Sequence, residues 1–207
     1  MKKPRSDIPP PPLPRPSRGA VVGYAIPFQQ LRRSAHHLWR MLGVARKSIP
    51  TNWPVDDSDP LVEASFFWET YALAVQVFAG MTVEAVLNTY GLVRFGEEQF
   101  RRFFRPKGPV QRLKMMMEYG PGIRLTNDDD LVRTLSSLIN KRNPIVHMQS
   151  DEEIFDTAGR IVRAVPTPVD ELAGAEAAVA EMEDFLNRFA AFVGEHDLES
   201  WTYVAPL

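Results

Sequence analysis

Cysteine is absent from this 207-residue chain, so neither a disulfide framework nor a thiolate metal site is available. Histidine is nearly as scarce. His36, His37, His147 and His196 are too scattered for a zinc site, and the adjacent pair lacks the spacing that places two ligands on one helix face. There is no glycine-rich phosphate loop, no carboxylate metal cluster and no serine triad, so no metal or other cofactor is expected. The N-terminus is basic and then proline-rich, without the apolar core that a secretory signal needs. The longest apolar run, Tyr71 to Val83, is interrupted by Gln76 and closed by Glu84, and reads as too short to span a bilayer. A cytoplasmic protein without a membrane partner is the expectation. Its length suits one domain with extensions, and an apolar content of 44% is enough to build a core.

A net charge of −2 hides an asymmetry. Residues 1–20 carry Lys2, Lys3, Arg5, Arg15 and Arg18 against Asp7, a balance of +4, so the remainder stands at −6. Local clusters, not the total, must therefore speak for or against nucleic acid. Residues 1–19 hold Pro9 to Pro12, Pro14 and Pro16 with almost nothing apolar to bury. They read as an extended or disordered arm, either a docking peptide or an unstructured leader. Residues 20–57 read as a basic amphipathic helix and a linker. From Pro27 to about Lys47, Phe28, Leu31, Ala35, Leu38, Trp39 and Leu42 recur at helical spacing, while Arg32, Arg33, His36, His37 and Arg40 occupy the other face with no acid. That face suits RNA, and it equally suits plain solvation.

Residues 58–207 read as a helical domain. Asp59-Pro60 signals a helix start, and Leu61 to about Tyr90 is apolar nearly all round, as in the central helix of a bundle. Glu84 and Asn88 interrupt it; buried, they need a partner such as Arg142, and otherwise they face solvent. Residues 94–114 carry seven cations against Glu97 and Glu98, a balance of +5, interleaved with Phe95, Phe100, Phe103 and Phe104. Arg101, Arg102, Arg105, Lys107 and Arg112 are the expected RNA-backbone contacts, with the phenylalanines either stacking bases or anchoring the core. A further helix is predicted over Val110–Tyr119, with Met115 to Met117 as packing residues and Gly120-Pro121-Gly122 as its stop. Thr126 and Asp129 resemble a capping box for the next helix. Residues 151–165 read as a small hairpin or loop. Leu172, Ala175, Val179, Met182, Leu186, Phe189 and Val193 form a stripe on a final helix, serving either the core or a coiled-coil seam.

The chemistry concentrates in Leu138-Ile139-Asn140-Lys141-Arg142-Asn143-Pro144-Ile145-Val146-His147. A guanidinium is a rigid fork of donors suited to phosphate, and an imidazole exchanges a proton near neutral pH. If the helix runs on past Pro144, Asn143 and His147 share a face. Pro144 should instead kink or break it, or start a new helix behind an Asn143 cap.

Arg142 and His147 in this spacing, with polar Asn143 directly after the arginine, resemble the Arg-x4-6-His signature of the HEPN family. Glu84 and Asn88 in the upstream helix resemble the glutamate-asparagine pair often seen in that family. The resemblance covers about residues 58–195. It implies an all-α, HEPN-like helical bundle that here would carry the short hairpin or loop insertion and the proline-rich arm. It further implies a homodimer in which both chains supply Arg142 and His147 to one cleft, and a metal-independent endoribonuclease. His147 would be the general acid or base, Arg142 would stabilise the transition state, Asn143 would orient the imidazole or the phosphate, and Glu84 would hold Arg142. A toxin or phage-defence role, with a cognate antitoxin or defence-system partner, would fit the same family; so would a non-catalytic scaffold binding RNA or protein. Some members carry a modifiable tyrosine two residues after the histidine, where Gln149 stands here.

Overall fold

The computed structural model describes residues 22–45, 60–146 and 168–196. The proline-rich arm, the 48–57 linker, His147 and the expected hairpin at 151–165 lie outside them. Among the described residues the structure is all-α, without a strand. Helix α1 spans Val22–Ala45, α2 Pro60–Phe95, the single turn α3 Glu97–Gln99, α4 Pro109–Tyr119, α5 Asp130–Val146 and α6 Pro168–His196. A π-helical turn, Phe100–Phe104, follows α3 directly.

Helix α2 is the axis. Its buried residues face every neighbour: Val83, Val86, Leu87 and Tyr90 enter a core with Leu113, Met116 and Met117 of α4, Leu135 and Leu138 of α5, and Met182, Phe185 and Phe189 of α6. Two turns nearer its start, Trp68, Ala72 and Val75 pack with Leu42 of α1 and Leu172, Ala175 and Val179 of α6 in a second cluster. Each valine, leucine, phenylalanine or methionine among them, taken fully out of water, contributes roughly 1.5–3 kcal/mol. By length and composition, Trp68–Phe95 is long and apolar enough to cross a membrane. This corrects the shorter run read from the sequence, which stopped at Glu84. In this fold the stretch is a core helix.

The stripe on α6 is buried from Leu172 to Val193 and serves the core. Helix α1 begins at Val22, earlier than Pro27, and buries Phe28, Ala35 and Leu42 as its spacing predicts. The Thr126 amide and hydroxyl both donate to the Asp129 carboxylate, at 2.6 and 2.8 Å, just before α5 starts. Pro144 neither breaks α5 nor opens a new helix, because α5 continues through it to Val146. The proline stands in the last turn, where its missing amide leaves only the Asn140 carbonyl without a helical partner. Asn140 is exposed, so solvent satisfies that oxygen at little cost.

Candidate functional site

Glu84 and Asn88 stand one turn apart on α2 and face the space between α4 and α5. Glu84 bridges two guanidinium groups. Its Oε2 accepts from Arg142 Nη1 at 2.5 Å, and its Oε1 accepts from Arg112 Nη1 at 3.3 Å. Arg112 Nη1 also donates to Asn88 Oδ1. The other arm of the Arg112 fork, Nη2, donates to the carbonyls of Arg105 at 3.2 Å and Lys107 at 3.0 Å. The Phe100 ring lies 5.9 Å from the same guanidinium. Burial pulls the Arg112 pKa below its ordinary value, while the Glu84 charge and hydrogen bond pull it back; arginine remains a cation throughout.

One carboxylate thus faces two guanidiniums, and the cluster keeps an excess positive charge. The side-chain exposures rank its members: 6% for Arg112, 14% for Arg142 and 24% for Glu84. Arg112 is sealed, and Arg142 lies near the surface. Arg142 donates one N–H to Glu84, and its Nε is buried without a hydrogen-bond partner. Donors remain on this fork for a further acceptor.

A close approach of the Arg142 side chain to the α2 backbone makes this geometry possible. A Cβ at Gly80 of α2 would sit 3.0 Å from both Cβ and Cδ of Arg142, so the arginine stem crosses α2 where there is no side chain. Gly91, three turns further on, does the same for Phe100: a Cβ there would lie 2.5 Å from the ring. The two glycines set the positions of Arg142 and of the π turn against one helix. The sequence reading missed both; two isolated glycines within an apolar helix were the available signal.

Asn143 is half-buried and follows Arg142 on α5. The cationic residues divide. Arg101, Arg102, Arg105 and Lys107 are exposed on and just after the π turn; Arg101 pairs with Glu97 at 2.7 Å, and Arg102 lies 5.1 Å over the Phe103 ring. Arg112, grouped with them from sequence, is buried and cannot offer its fork to an RNA backbone. Its position foretold this, since it precedes Met116 by four residues and shares the apolar face of α4. Phe100 and Phe104 are core anchors, with the Phe104 ring tilted against Phe95 at a centroid distance of 4.4 Å. No protein-family model, curated protein or solved structure matches the chain.

A second cationic surface lies on α1. Arg32 donates through Nε and Nη2 to both oxygens of Glu183 on α6, at 2.8 and 2.6 Å, and His36 Nε2 lies 2.7 Å from Glu183 Oε1. Burial works against ionisation of Glu183, but the hydrogen bonds from Arg32 and His36 outweigh it and hold its pKa below the ordinary value. Among the described residues, Gln29, Arg33, His37 and Arg40 join Arg32 and His36 around a groove of about 460 Å³.

Proposed function

We propose that this chain is a metal-independent endoribonuclease of HEPN type, built on a HEPN-like helical bundle and working as a homodimer in the cytoplasm. The observation that carries this reading is the Glu84–Arg142 pair at 2.5 Å between α2 and α5. It joins the two segments on which the family resemblance rests, and it leaves the Arg142 fork with donors to spare. The 2′-hydroxyl of RNA would give its proton to His147 as its oxygen bonds to phosphorus. Arg142 would stabilise the charge that gathers on the phosphoryl oxygens. The bond to the 5′-oxygen would break, that oxygen taking a proton from the protonated imidazole of the twofold mate. Asn143 would orient the phosphate or the imidazole. The products are a 2′,3′-cyclic phosphate and a 5′-hydroxyl, and DNA, lacking the nucleophile, is inert. A toxin or phage-defence effector released from a cognate partner is the setting this chemistry suits.

Incubating end-labelled RNA in chelator with the wild type and with the Arg142→Ala/His147→Ala double variant tests the proposal. Cleavage by the first and none by the second supports it; equal cleavage by both overturns it. A second reading, a non-catalytic scaffold binding RNA or protein, is favoured by the burial of Arg142, only 14% exposed and paired within its own chain. On that reading the double variant melts at a lower temperature, and the wild type binds RNA without cutting it.

A further inference from the structure

Arg112 satisfies four acceptors in two places: Glu84 and Asn88 on α2, and the carbonyls of Arg105 and Lys107 in the turn leading to α4. Those two residues are themselves exposed cations. With their carbonyls drawn inward to a buried fork, their side chains are committed to the outside. The turn has few other ties of its own: the Arg105 amide donates to the Phe100 carbonyl at 2.9 Å and the Lys107 amide to the Phe104 carbonyl at 3.0 Å. Between the Lys107 carbonyl and the Arg142 guanidinium stand only one guanidinium and one carboxylate.

From this connection we infer that Arg112 is a positioning residue: it holds the cationic turn of Arg102, Arg105 and Lys107 in register with Arg142, so that turn and arginine grip neighbouring phosphates of one RNA strand. The inference rests on the reading of this chain as an RNA-acting protein and adds to it a fixed path for the strand. Arg112 itself, sealed beneath the turn, touches no RNA. A lysine in its place keeps the charge but has no planar fork and cannot span the four acceptors.

The test is binding of a fluorescein-labelled single-stranded RNA to the full chain, by anisotropy in chelator over a salt series. Wild type, Arg112→Lys, the triple variant Arg102→Ala/Arg105→Ala/Lys107→Ala and their combination are compared. The triple variant should lower the slope of log K against log salt by about 2, close to 0.7 for each lost phosphate contact. Arg112→Lys should lower it by about 1 without removing any exposed charge, and the triple change should cost less than half as much in log K in its background, because coupled residues are not additive. Asn88→Ala, which takes away one acceptor and no charge, should move the slope in the same direction should Arg112→Lys fail to fold. An unchanged slope in both Arg112→Lys and Asn88→Ala, or additive losses in the combination, overturns the inference, and so does a wild type that does not bind RNA. Binding with the expected slopes but no cleavage removes the endoribonuclease reading alone.

Discussion

Glu84 and Glu183 each stand between two basic side chains, and they are used in opposite ways. Glu183 takes both arms of the Arg32 fork and a ring nitrogen of His36, which ties α1 to α6. The two parallel bonds leave Arg32 with little to offer anything else. Glu84 receives one N–H from Arg142 and one from Arg112, and neither fork is used up on it. The first arrangement is a clamp that takes up both arms of its arginine. The second has one cation in excess, lies among core helices and reaches the surface at Arg142. Composition is nearly the same in the two places, and the number of bonds each arginine spends on its carboxylate separates the clamp from the proposed site.

The comparison breaks most sharply on activity. His147→Ala or Arg142→Ala should lower the rate of RNA cleavage by roughly 10²–10⁴, the range for one acid-base or charge-stabilising group. Glu183→Gln should leave the rate at saturating RNA unchanged and lower the melting temperature. Single-turnover cleavage beside a thermal melt reads both quantities. A Glu183 variant as inactive as the Arg142 variant would dissolve the distinction.

Stability should divide the two carboxylates next. Glu84→Gln strips the sealed Arg112 and the largely buried Arg142 of their shared counter-charge, and should cost on the order of 3 kcal/mol, at the lower end of what breaking a buried pair costs because Glu84 is partly exposed. Glu183→Gln leaves behind two partners that water still reaches, Arg32 at 26% and His36 at 33% exposure, and should cost about 1 kcal/mol. Urea denaturation of the two variants at neutral pH measures the difference, and equal losses would mean that the Glu84 cluster is no more buried in effect than the clamp.

A smaller effect sharpens the role of Gly80. Gly80→Ala places a methyl group 3.0 Å from the Arg142 stem, a flexible neighbour that can shift by a few tenths of an ångström. The melting temperature should fall only slightly, while cleavage falls about 10-fold, since misplacing a reacting group costs rate before it costs stability. Intact cleavage in this variant would show that the position of Arg142 is not critical.

The helices were legible in the sequence because their periods are long and regular. The α6 stripe, the apolar face of α1 and the all-round apolar character of α2 each reappear as buried residues. The Glu84–Arg142 contact was also within reach, since two polar residues in an apolar helix demand a partner. What lay hidden depends on distances that no local pattern encodes. Arg112 joined the cations by charge alone, although its register with Met116 placed it inside. Pro144 signalled a break that the end of α5 absorbs. The Glu183 clamp joins residues 147 or more positions apart, and neither partner has a neighbour in sequence that announces the other.

The pH dependence of stability is the finest test of the clamp. The Arg32 and His36 hydrogen bonds hold the Glu183 pKa low in the folded chain, below the value of about 4.3 for a free glutamate. A group with a depressed folded pKa contributes its stability above the unfolded value and loses it as pH falls through the folded one. Unfolding midpoints in urea should therefore decline in the wild type between about pH 5 and pH 3, and less steeply in Glu183→Gln. Asp129, held low by its hydrogen bonds from Thr126, and Asp130, held low by Arg133 and Arg188, add the same acid sensitivity to both proteins and cancel in the difference. The gap between the two curves should then be widest at neutral pH and close towards pH 3, because protonation takes from the wild type what the substitution has already removed. Curves that stay parallel through that window would show that Glu183 is not the charge that fastens α1 to α6.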